Sequence, residues 1–153
     1  MSRPTVLIVD DELSIRESFS LILDDYFNVE TAASGETAVQ KASTQPVDLV
    51  FLDIRMPGMD GMETLPKLKK IMPNTPVVMV TAVNDVQSAG QTIKDGAEDY
   101  IVKPFDVEDV LKKARFLLER KSVKAEAARL RATSPLAFHN HVRQPASRTA
   151  VSA

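Results

Sequence analysis

The chain of 153 residues is 44% hydrophobic and 26% charged, a balance that suits one domain built on a single core. It has no cysteine, which excludes disulfide scaffolds, thiolate zinc sites and thiol nucleophiles, and its two histidines, His139 and His141, are too few for most histidine-based metal centres. The net charge of −2 is unevenly spread: residues 1–120 hold 13 of the 19 basic and 20 of the 21 acidic residues, while residues 121–153 hold the other 6 and 1, a surplus of five positive charges.

Met1-Ser2-Arg3-Pro4 leads into five residues, Thr5 to Val9, before two acids, too short an apolar run for a secretory leader. No apolar run approaches the roughly 20 residues that span a bilayer, so a cytoplasmic protein is expected. Five short runs rich in β-branched residues follow one another at 5–9, 28–32, 47–52, 76–81 and 100–102. Between them lie stretches of helical spacing. Ile15, Phe19, Ile22 and Leu23 share one face of the first, and Ser14 with Glu17 reads as a capping box at its start. Gly90 falls inside the fourth helical stretch, either to weaken it or to allow close packing. Gly96, after Lys94-Asp95, reads as a left-handed C-cap. Val107, Val110, Leu111, Ala114, Leu117 and Leu118 line one face of the last stretch. This alternation predicts an α/β fold, an open, doubly wound, five-stranded parallel sheet with helices on both faces. Val6-Leu7-Ile8-Val9 and Val77-Val78-Met79-Val80 are apolar at every position, as in strands covered on both sides. Residues 121–132 are good helix material and extend the last helix, and disorder is expected from Ser134 onward.

The polar residues of interest stand where the apolar runs stop. The first run ends in Asp10-Asp11-Glu12, the third in Asp53, the fourth in Thr81-Ala82 and the fifth in Lys103-Pro104. In a doubly wound sheet all these ends meet at one rim, where such folds bind ligands. Singly, each has an ordinary reading: an Asp pair caps helices, a Lys-Pro turns at the surface, and a Thr ends strands. Together they assemble three carboxylates, a hydroxyl and an ammonium. Crowded carboxylates repel unless a cation intervenes, and Mg²⁺, which takes oxygen ligands, suits them. An aspartate beside Mg²⁺ and Lys103 is a nucleophile suited to a phosphoryl group.

Four stretches carry a family likeness: Val6-Leu7-Ile8-Val9-Asp10-Asp11-Glu12, then Asp48-Leu49-Val50-Phe51-Leu52-Asp53-Ile54-Arg55-Met56-Pro57-Gly58-Met59-Asp60-Gly61, then Val80-Thr81-Ala82, and Gly96-Ala97-Glu98-Asp99-Tyr100-Ile101-Val102-Lys103-Pro104-Phe105. Over residues 4–120 the chain resembles the receiver domain of bacterial two-component response regulators, with residues 121–153 as a basic tail. Within that family it is similar to receivers of activators of enhancer-dependent transcription. The resemblance implies a flavodoxin-like sheet of strand order 2-1-3-4-5. It implies that Asp53 accepts phosphate from a histidine of a sensor kinase or phosphotransfer protein. Asp11, Asp53 and the main-chain carbonyl of Arg55 would bind Mg²⁺ directly, and Asp10 through a water. Lys103, Thr81 and the Ala82 N–H would hold the phosphoryl oxygens. Tyr100 would turn inward as Thr81 moves, and Lys103-Pro104 would be cis. Arg55 and Val83 stand at two positions that influence phosphate lifetime in this family.

The expected output is protein binding by the surface of residues 84–94 and 99–118, with a downstream protein target and a phosphorylation-dependent homodimer among the partners. Nucleic acid is expected only through the basic tail, and His139-Asn140-His141 is discounted as a metal site. Alternative readings are a fragment of a DNA-binding regulator, a receiver locked as a scaffold, an FMN binder and an Asp-nucleophile phosphatase. The phosphatase needs a second Asp two residues after the first, where Arg55 stands. The FMN binder needs a Thr/Ser/Gly-rich loop after the first strand, where acids stand. The chain is therefore expected to act catalytically only on its own phosphorylation and dephosphorylation.

Overall fold

A computed structural model describes residues 3–133. The elements, in chain order, are β1 (Thr5–Val9), α1 (Leu13–Leu23), β2 (Asn28–Ala32), α2 (Gly35–Thr44), β3 (Leu49–Asp53), α3 (Gly61–Ile71), β4 (Val77–Ala82), a 3₁₀ turn (Val83–Asp85), α4 (Val86–Lys94), β5 (Asp99–Lys103) and α5 (Val107–Thr133). The strands form one parallel sheet of order β2-β1-β3-β4-β5. The expected disorder from Ser134, and the His139-Asn140-His141 motif, fall outside the described residues. By their contacts, the described residues divide into two units, one ending at Leu118 and the other beginning at Glu119. In the second, Arg129 pairs with Glu126 one turn earlier.

Side chains of a strand alternate between faces, and the core divides accordingly. Leu7, Val9, Val50, Leu52, Val77 and Met79 pack under Ala38 and Ala42 of α2, Leu65 and Leu68 of α3 and Ala89 of α4. Val6, Ile8, Leu49, Phe51, Val78 and Val80 pack under Phe19 and Leu23 of α1 and Val110, Ala114 and Leu117 of α5. Ile15, Ile22, Leu111 and Leu118 flank this second cluster, as the helical spacing predicts. Val107, the first residue of α5, does not join it and is exposed.

Three local expectations are corrected or decided. The capping box at Ser14 and Glu17 is absent: α1 begins at Leu13 with Glu12 as its N-cap, which makes no side-chain cap bond. Asp10 Oδ1 takes the Glu12 N–H at 2.9 Å, so the helix start is set by the acidic run and Ser14 lies inside the helix. A capping box does form at α3, where Asp60 and Glu63 exchange side-chain bonds with each other's N–H. The Gly90 packing alternative is removed, since a Cβ built there meets nothing within 4 Å. Gly96 adopts φ 114° and closes α4, with Ala97 N–H reaching Thr92 O and Gly96 N–H reaching Ile93 O.

Candidate functional site

The strand ends converge because the parallel register steps them together. Val9 pairs with Leu52, so the next residues, Asp10 just past β1 and Asp53 at the end of β3, stand side by side. Val80 pairs with Asp53, and Ala82 with Lys103, which brings the other two ends to the same rim. Carboxylate oxygens of Asp10, Asp11 and Asp53 lie within 4.8 Å of one another. Asp10 is 1% exposed and Asp53 5%, while Asp11 faces solvent. Arg16 of α1 fixes the first strand end from below, donating to the Asp10 carbonyl at 2.7 Å.

Lys103 Nζ sits 3.1 Å from Asp10 Oδ2, 3.6 Å from Asp53 Oδ1 and 3.8 Å from Glu12 Oε1. One ammonium is thus shared among several carboxylates, and it cannot neutralise them all. Burial, reinforced by the negative charge of Asp10, pushes the Asp53 carboxyl up to about 7 against the opposing pull of Lys103. Burial also works against the charge on Lys103, but Asp53 and Asp10 outweigh it and hold the ammonium above its usual range. The Arg55 N–H leans on Asp53 Oδ1 at 3.4 Å. Asp10 Oδ2 is buried and in ionic contact with Lys103, yet it accepts no hydrogen bond. A buried carboxylate oxygen with no hydrogen bond, among carboxylates that share a single ammonium, belongs to the kind of donor set that a hard divalent cation fits.

Thr81 is buried, and its hydroxyl lies within donating distance of two main-chain carbonyls, Asp85 O at 3.1 Å in the turn before α4 and Ala82 O at 3.2 Å. Ala82 is exposed at the strand end. Tyr100 is half-buried and packs against the core cluster under α4, the face to which Met79, its register partner, also contributes. The Lys103–Pro104 peptide is cis. Met56-Pro57-Gly58 turns the chain away from Asp53, with Gly58 at φ 72°. Gly61 then returns against the strand end so closely that a Cβ there would stand 2.2 Å from Asp53 O. The structure therefore brings Asp10, Asp11, Asp53 and Lys103 into direct proximity and gives Thr81 a different partner. Sequence reasoning missed the side-chain link of Arg55 to Asp85 and Ser88. Opposite charges on the loops after two adjacent strands were the available signal.

The model of the response regulator receiver domain matches residues 6–115. The chain belongs to the response regulator receiver family. The receiver is the part of two-component systems for which phosphorylation and Mg²⁺ binding are typical. Over 120 residues the chain is 38% identical to the probable transcriptional regulatory protein TcrX of Mycobacterium tuberculosis, covering 78% of this chain and 51% of TcrX. The chain thus spans about half the length of the relatives it matches by sequence. The receiver domain of NtrX from Brucella abortus is similar in structure, with TM-score 0.72, 36% identity, and coverage of 74% of this chain and 98% of that one. The chemotaxis protein CheY4 of Vibrio cholerae aligns with TM-score 0.67 and 34% identity over 76% of this chain and 99% of its own. No helix among the described residues is long and apolar enough to cross a membrane.

Proposed function

We propose that the chain is a phosphoacceptor switch in which Asp53 receives a phosphoryl group from a phosphohistidine of a sensor kinase or phosphotransfer protein. The observation that carries this reading is the buried Asp53 carboxylate, with Asp10 and Asp11 oxygens within 4.8 Å and Lys103 at 3.6 Å. In the transfer the Asp53 oxygen bonds to phosphorus in line with the breaking P–N bond, and the histidine ring keeps the electron pair. Asp11, Asp53 and the Arg55 carbonyl would hold Mg²⁺, with Asp10 acting through water. When bound, the ion supplies neutralisation of charge on the transferred group's oxygens. Lys103 contributes positive charge from the other side, and it favours the ionised, nucleophilic form of Asp53. Thr81 and the Ala82 N–H would bind the phosphoryl oxygens once the Thr81 hydroxyl leaves Asp85, and Tyr100 would follow into the space beside it.

The new charge of about −1.5 to −2 is read out by a protein partner or a second copy of the chain. A groove of about 480 Å³ between Tyr100, Pro104, Asp106 and Lys112 supports docking on β5 and the start of α5. Cytoplasmic residence and catalysis confined to its own phosphorylation and dephosphorylation follow from the same reading. A second reading, in which this receiver serves a longer DNA-binding regulator, is favoured by its covering only 51% of TcrX. The test is incubation with Mg²⁺ and acetyl phosphate followed by intact-mass measurement. One labile phosphate is expected in the wild type and none in Asp53→Asn; a label that persists in the variant overturns the assignment.

A further inference from the structure

The transfer chemistry leaves one forked ion pair beside the site unused. Arg55 donates from Nε to Asp85 Oδ2 at 2.6 Å and from Nη2 to Asp85 Oδ1 at 3.0 Å. Nη2 also reaches Ser88 Oγ at 3.1 Å, inside α4. Such a fork fixes orientation as well as distance. Although the Arg55 side chain is 62% exposed, that of Asp85 is only 17% exposed. Asp85 ends the 3₁₀ turn and immediately precedes α4. Its main-chain carbonyl, at 3.1 Å, shares the Thr81 hydroxyl with Ala82 O at 3.2 Å. One residue thus holds Arg55 through its side chain and Thr81 through its backbone.

A hydroxyl has one proton to donate. Thr81 cannot serve these carbonyls and an oxygen on Asp53 together, so any move toward the site gives up its hold on the Asp85 turn. The turn carrying that carbonyl is pinned to the loop after β3 by Arg55, which lies two residues from Asp53. Resting on the phosphoacceptor reading, we infer that Arg55 and Asp85 are positioning residues: their pair is a latch that holds the turn before α4 against Thr81 and so favours the unphosphorylated arrangement. Neither side chain needs to touch the phosphoryl group. The pair acts on the fraction of molecules in which Thr81 is free to turn.

Beryllofluoride with Mg²⁺, titrated into the full chain and followed by amide NMR, reads that fraction as an apparent affinity. Asp85→Asn keeps the carbonyl that Thr81 uses and removes the fork. Arg55→Gln removes it from the other side. Each single variant is expected to bind beryllofluoride about three- to tenfold more tightly than wild type, because apparent affinity scales with the competent fraction. The double variant is expected to gain no more than either single one, because both break one contact. A charge effect alone predicts something else: losing an acid tightens an anion and losing a base weakens it, so the two variants would move in opposite directions. Opposite shifts, or no shift, overturn the latch while leaving the phosphoacceptor reading in place. A wild type that takes up no beryllofluoride overturns that reading and the latch with it.

Discussion

Asp53 shows how one residue's position sets its chemistry. Its carboxyl rises from an ordinary 3.8 to about 7 because it is buried beside Asp10. A carboxyl raised in the folded state contributes stability that is fully present below pH 3.8 and is lost as pH climbs through about 7. The metal-free protein is therefore expected to weaken between pH 4 and 8, and Asp53→Asn to be the more stable at pH 8, by about 1–2 kcal/mol once solvent screening is allowed for. Urea unfolding with and without chelator measures this; equal stabilities at pH 8 would refute it. Because a ligand carboxyl must lose its proton, Mg²⁺ affinity is expected to rise by roughly an order of magnitude from pH 6 to 8, as calorimetry can record. These acids were legible in the sequence because each ends an apolar run, and burial of the run dictates where the carboxylate emerges. The Arg55 contact with Asp85 was not, because it depends on the conformations of two loops that no periodicity describes.

Among the elements, α3 and α4 differ in how they are held. Gly61 at the start of α3 has no room for a methyl group, and its N–H reaches Ile54 O at 2.8 Å. Gly61→Ala is expected to cost about 3 kcal/mol by forcing the helix off the strand end, seen as a lower urea midpoint. Gly90 in α4 faces open space, so Gly90→Ala is expected to stabilise the chain by about 0.5–1 kcal/mol. If α4 must loosen to signal, the same variant responds less to beryllofluoride in its α4 amide shifts. The strand and helix order was readable from alternating periods, with boundaries displaced by one or two residues. β3 runs Leu49–Asp53 rather than 47–52, and β4 Val77–Ala82 rather than 76–81, since pairing with neighbours decides where a strand stops. The α1 capping box failed for a related reason: the Asp10 side chain reached the Glu12 N–H first and started the helix at Leu13. The Asp60-x-x-Glu63 signature of α3 was equally visible and went unread.

At the scale of the receiver unit, site and core share a column of aromatic rings. Phe19 lies 5.0 Å from Phe51 and 4.4 Å from Phe105, centroid to centroid. Phe51 precedes Asp53 by two residues and Phe105 follows Lys103 by two, so the column seats two of the rim's strand ends. Phe51→Ala is expected to cost about 3–5 kcal/mol and to lower the urea midpoint accordingly. That the sheet would be parallel was legible from runs apolar at every position; that two faces would carry different helix sets emerges only when α1 and α5 are seen on one side and α2, α3 and α4 on the other. The tight seat of Gly61 has a mechanical corollary. Toward α3 the Asp53 strand end meets a rigid backstop, with backbone against backbone and a helix opened by a capping box behind it. Toward α4 lies a nine-residue helix with no side-chain cap and a glycine in open space, tied to the loop after β3 by the Arg55 side chain. Stiffness on one flank, and on the other a helix that yields once the Arg55 tie is released, give a push from the rim a single direction in which to travel.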